Sequence, residues 1–178
     1  MTASLYPSFV EIALFTTLVA LLMCAAISDA RRFVIPNSIS IGVAVLFFIA
    51  WSILPVQTSI LSHIGSALAV LIIGMLLFRF GLFGGGDVKL WAAAALWFGF
   101  GALHTQLMSI ALVGGLLGIS LYVARISVAR WNGVKRGGQV STVPQVLRDG
   151  AAVPYGVAIA AGTILTLNQT PFFATLSG

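Results

Sequence analysis

An all-α bundle of six transmembrane helices, with both termini on the non-cytoplasmic side, is the fold class this chain predicts. Three observations predict it: composition, the length of the apolar runs and the placement of the charges. Of the 178 residues, 60% are hydrophobic and only 7% are charged, and the mean hydropathy is +1.09. That much apolar surface exceeds what a soluble domain of this size can bury. Residues 1–178 are expected to form a single membrane-embedded domain, because no stretch is polar enough for a separate soluble unit or a disordered tail. The one cysteine, Cys24, excludes an intrachain disulfide and a thiolate zinc cluster. It reads as an inert core thiol.

The elements follow in order. Residues 9–27 form an apolar run whose first basic residue, Arg31, comes after it. A secretory signal carries its positive charge before the run, so this one is expected to stay as the first span. Between Arg32 and Arg79 there is no Lys, Arg, Asp or Glu, and Pro55 divides the stretch. Helices over 38–54 and 59–80 fit it, each long enough for a hydrocarbon core of ~30 Å. Residues 90–124 are again free of these charges. As one helix they would reach about 52 Å, so a break is expected at Gly99-Phe100-Gly101 with His104, leaving helices over 88–98 and 106–124. A last span over 151–167 completes the six.

Basic residues gather in cytoplasmic loops, and this provides an independent check. Arg31 and Arg32 follow the first span, Arg79 and Lys89 flank the junction of the third and fourth, and Arg125, Arg130, Lys135, Arg136 and Arg148 lie between the fifth and sixth. Six spans with both termini outside put all nine Lys and Arg on one side. The net charge of +5 therefore reads as topology and attraction to anionic membrane lipid, not as nucleic-acid binding.

Only four acids occur: Glu11, Asp29, Asp87 and Asp149. A carboxylate at the edge of a membrane core is costly, so an acid kept there is a functional candidate. The topology places Asp29, ending the first span, and Asp87, opening the fourth, at the same cytoplasmic boundary. Asp149, between Arg148 and Gly150, reads as a solvated loop charge, and Glu11 as an interfacial residue on the opposite face. His63 and His104 are expected away from both aspartates, so no metal site and no cofactor are expected.

Two close carboxylates can share one proton, since like charges a few ångströms apart do not both ionise cheaply. One, ionised, can take a proton from water; the other, protonated, can polarise a scissile carbonyl and later help protonate the leaving amine. Gly84-Gly85-Gly86 before Asp87 give a backbone able to adopt unusual dihedrals and to let a substrate strand approach. Near Asp29, Pro36 holds Ile35 extended, and Asn37 or Ser38 can cap the next helix. Arg31, Arg32 and Lys89 are topology signals first. Their second possible role is to favour ionisation of one aspartate or to attract an acidic substrate group.

Asp29 with Ile35-Pro36-Asn37, together with Gly84-Gly85-Gly86-Asp87-Val88-Lys89 as a GxGD sequence, resembles the type IV prepilin peptidases, which are membrane aspartyl proteases. Val153-Pro154-Tyr155-Gly156 resembles the proline-glycine element of that family's last helix. The likeness runs over residues 20–165. It implies that Asp29 and Asp87 are the catalytic pair, with Gly84, Gly85, Gly86, Lys89, Pro36, Asn37, Pro154, Tyr155 and Gly156 shaping the site. The implied substrate is a prepilin whose short basic leader is cut at the cytoplasmic face of a bacterial inner membrane, beside its hydrophobic helix, with pilus assembly machinery as a further partner. The larger, bifunctional members carry a cytoplasmic insertion with paired cysteine motifs and an N-methyltransferase activity. Lacking the four cysteines of those motifs and room for the insertion, this chain resembles the short enzymes of Flp-type (tight-adherence) pilus systems, with archaeal preflagellin peptidases as near neighbours. Presenilin-like proteases pair GxGD with Tyr-Asp, whereas Tyr6, Tyr122 and Tyr155 here precede Pro, Val and Gly. From other classes, a proton-coupled carrier would place its acids near the bilayer midplane, and a non-catalytic secretion subunit would need no dyad.

Overall fold

The computed structural model describes residues 9–54, 56, 58–134 and 153–173. Within them the chain is all helical: α1 (Phe9–Arg32), α2 (Asn37–Ile53), α3 (Ile60–Arg79), α4 (Gly85–Ala95), α5 (Gly99–Val134) and α6 (Tyr155–Leu165), the last followed by a 3₁₀ turn over Leu167–Gln169. α1, α3 and the Gly99–Val128 part of α5 are long and apolar enough to cross a bilayer; α2 and α6 are shorter apolar helices.

α4 is the axis of the assembly. Its residues from Leu90 to Ala95, and Leu96, Trp97 and Phe98 after it, are all buried, because α2, α3, α5 and α6 pack around it. α1 lies against α2 and α6, and α5 against α3 and α6. The outside is the reverse of a soluble protein's: Leu61, Ile72 and Met75 on α3 and Met108, Leu112 and Leu116 on α5 are exposed. Such an apolar exterior around a packed interior is that of a membrane helical bundle.

Several polar groups inside the bundle serve backbone ends. α4 stops at Ala95 and the chain reverses over residues 96–98, which leaves carbonyl and N–H groups without helical partners. Three residues of α3 meet them. His63 Nδ1 donates to Leu96 O at 2.6 Å, Ser66 Oγ donates to Ala95 O at 3.0 Å, and Phe100 N–H donates to Ser62 Oγ at 3.0 Å. Trp97 Nε1 donates to Val43 O of α2. The reversal therefore comes earlier than the glycine pattern predicts: Gly99, at φ +59°, is already the first residue of α5, and Gly101 and His104 lie within that helix. A buried indole and three α3 side chains fix the turn more strongly than the glycines do.

Other expectations shift as well. α5 runs on to Val134 and carries Arg125 and Arg130 on its helix, and α6 begins at Tyr155. Lys135, Arg136, Arg148 and Asp149, and the start of the last predicted span at 151, lie outside the described residues. Cys24 is exposed on the outer face of α1 and not in the core. Glu11 is buried in the first turn of α1, about 27 Å along the helix axis from Asp29 at 1.5 Å per residue.

Candidate active site

Asp29 faces inward because it ends a stripe. The buried residues of α1 are Glu11, Leu14, Leu18, Leu22, Ala25 and Asp29, spaced by three and four, which is one face of an α-helix. The stripe packs against α2 and α6 and carries the carboxyl group into the bundle at 5% exposure. Its Oδ2 accepts the backbone N–H of Gly156 at 2.7 Å, and the N–H of Val157 also faces the group. Both N–H groups belong to the first turn of α6, the end of a helix that favours an anion.

Asp87 sits in the first turn of α4. Its Oδ2 accepts the Gly84 N–H at 3.1 Å, the carboxylate half of a capping box. Oδ1 is buried with no hydrogen-bond partner in the protein. The Gly156 N–H lies within reach of this carboxylate too, and Asp29 and Asp87 are close enough for each to feel the other's charge. Two motifs separated by 58 positions in sequence thus meet beside the first turn of α6, which a third supplies.

The segment between α1 and α2 locks these pieces together. α1 ends when Phe33 turns into the left-handed region at φ +53°, uncommon for a non-glycine residue, and its N–H caps Asp29 O at 2.8 Å. Ser28 Oγ donates to Val34 O at 2.7 Å. Ile35 then inserts, 6% exposed, against two glycines. A Cβ on Gly86 would stand 3.2 Å from Ile35 Cβ, and one on Gly156 would stand 2.6 Å from Ile35 Cδ1 and 2.9 Å from Asp29 Oδ2.

Two of the glycines before Asp87, Gly84 and Gly86, therefore act through close approach. Gly84 has ordinary extended dihedrals, at φ −77° and ψ 147°, and Gly85 and Gly86 are helical; a Cβ on Gly84 would lie 2.8 Å from Asp87 Oδ2. Pro36 is the residue preceding α2, and Asn37 is no cap: its Oδ1 accepts Lys89 Nζ at 3.0 Å. Lys89 accordingly points away from the carboxylates, as expected for residues two apart on a helix. Arg31 and Arg32 are exposed on the last turn of α1. Pro154 precedes α6 and accepts the Val157 N–H, and Tyr155 packs its ring on Phe83 at 4.8 Å, which stacks on Trp91 at 5.7 Å.

Phe83 and Trp91 are neighbours of the site that sequence reasoning assigns no role, and Ile35 is one that it names only as part of a motif. Trp91 had one available signal, its position one turn beyond Asp87 on the same helix face.

The sequence profile of the type IV leader peptidase family matches residues 16–123, more than half of the chain, and takes in both aspartate motifs. No curated protein and no solved structure matches the chain. The chain belongs to the type IV leader peptidase family.

Proposed function

We propose that this protein is a membrane aspartyl endopeptidase that removes the short basic leader of a Flp-type prepilin, with Asp29 and Asp87 as its catalytic pair. The observation that carries the reading is the closeness of the two carboxylates at the first turn of α6, where the Gly156 N–H donates to Asp29 Oδ2 and Asp87 lies near enough to feel the charge of Asp29. The pair holds one proton between its two groups. Asp87 Oδ1 has no donor facing it, so a proton there displaces no hydrogen bond, while the α6 N–H groups support charge on Asp29. In the reaction, Asp29 takes a proton from water as the oxygen attacks the scissile carbonyl, which Asp87 polarises by donating its proton. Collapse of the tetrahedral intermediate, a gem-diol, breaks the C–N bond: the proton held by Asp29 passes to the leaving amine, and Asp87 takes back a proton from one of the two hydroxyls. Leader acid and mature amine are released, and the dyad again holds one proton.

With the six helices threaded so that both termini lie outside, the topology read from the charges, the dyad stands at the cytoplasmic face of a bacterial inner membrane. Asp29 ends α1 beside Arg31 and Arg32, and Asp87 opens α4 beside Lys89; these basic residues belong on the cytoplasmic side. With a single cysteine in the chain, the reading is peptidase activity without N-methylation.

Co-expression with the prepilins of the same organism, followed by N-terminal sequencing, tests this. A prepilin shortened by its leader, with a free unmethylated amine, is expected; prepilins that all keep their leaders would contradict it. With purified protein, cleavage should follow a bell-shaped pH profile. The acidic limb falls as a second proton neutralises the dyad, and the alkaline limb falls as the shared proton leaves.

A further inference from the structure

On the opposite side of α4 from Asp87, helices α2, α3 and α4 enclose a groove of about 600 Å³. Its depth comes from small residues, Ala44, Ala67, Ala92 and Ala93, and Phe48 and Leu96 line its far end. Ile41, Phe48 and Leu68 on its walls are exposed, so it opens sideways on the apolar exterior. Along α2 it reaches from Asn37 to Phe48, about 16 Å at 1.5 Å per residue. That is close to the share of one leaflet in a hydrocarbon core of ~30 Å.

Polarity is confined to one end. There Lys89, held by Asn37, keeps two further N–H donors. Ser40, one turn into α2 and 6% exposed, has a buried Oγ without a partner. The N-terminus of α2 lies at the same end with no side chain capping it; the Ile39 N–H donates to Pro36 O, and the N–H groups of Asn37 and Ser38, with the positive end of the helix dipole, remain at that end.

We propose that this groove binds one acyl chain of an anionic phospholipid, with the phosphate at Lys89 and the α2 N-terminus and Ser40 Oγ donating to an ester oxygen. Size selects the lipid over a peptide helix. A helix about 10 Å across and 16 Å long fills roughly 1,300 Å³, more than all the empty space between the walls and at the open side, about 1150 Å³, whereas an extended chain fits within it. Charge selects an anionic headgroup, since the mouth offers a cation and donors and no carboxylate lines it. The proposal stands independently of the catalytic reading.

The test is native mass spectrometry of the full chain in detergent with dioleoyl phosphatidylglycerol and dioleoyl phosphatidylcholine in equal amounts. Wild type should retain phosphatidylglycerol preferentially. Lys89→Ala should lower that preference about fivefold, the factor that one Lys contributes near an anionic headgroup. Ala93→Phe should remove the retained lipid by filling the groove, and Ile41→Trp on the exposed rim provides the same test should the buried substitution unfold the bundle. Equal retention of the two lipids by wild type, or unchanged retention in Lys89→Ala and both filling variants, would overturn the proposal. So would displacement of the lipid by an apolar prepilin peptide that the filling variants no longer bind, since the groove would then belong to a substrate helix.

Discussion

Gly156 leaves no room for a side chain, and its N–H is the hydrogen-bond donor to Asp29 Oδ2. Gly156→Ala should therefore cut prepilin cleavage by tenfold or more, because its Cβ would press on both Ile35 and Asp29. Gly115→Ala is the control: nothing lies within 4 Å of that position, and cleavage should stay near wild type. Initial rates of leader release in reconstituted vesicles compare the two. Asp29 and Asp87 were legible in the sequence because charge is scarce there, so two acids with distinctive neighbours stand out against an apolar background. Ile35 was visible only as part of a motif, and its wedge between Gly86 and Gly156 was not. One more apolar side chain in a chain that is 60% hydrophobic provides no contrast, and its role depends on which backbones come near. Asn37 illustrates the same limit: a polar residue at a helix start suggests a cap, yet Lys89, 52 positions away, takes its side chain.

At the scale of elements, α6 must be held where its first turn reaches Asp29, and α5 holds it. A Cβ on Gly162 of α6 would stand 2.7 Å from both Cα and N of Ile110 in α5, so the two backbones touch. Gly162→Ala should push the helices apart, destabilise the fold by about 1–3 kcal/mol as overpacking does, and reduce cleavage with it. Thermal unfolding in detergent checks the first effect, and the rate of leader release checks the second. The order of the six helices was legible because charges and Pro55 punctuate the apolar runs. The break between α4 and α5 was misplaced by a few residues for a definite reason. Gly99 and Gly101 mark where a helix can stop, but Trp97, His63, Ser62 and Ser66 supply the partners that make it stop sooner. Those partners come from α2 and α3, which local pattern does not encode.

For the whole molecule, the proposal requires both carboxylates on the side where the basic residues lie. In a Cys24→Ser background, Leu82→Cys, exposed between α3 and α4, should react with a membrane-impermeant maleimide only when the cytoplasmic face is open. Ser59→Cys, at the start of α3, should react from outside. Reversed labelling would remove the charge-based topology. The basic residues that predict this topology are legible in the sequence, but the meeting of α1, α4 and α6 at one site is a property of packing alone. The most direct measurement is leader cleavage by purified, reconstituted Asp29→Asn and Asp87→Asn proteins whose thermal unfolding matches wild type. Asn keeps an oxygen for the Gly156 or Gly84 N–H but can neither take nor give the proton. Each variant should lose cleavage by at least about a thousandfold; near wild-type cleavage by either one, in a folded protein, would contradict the shared-proton dyad.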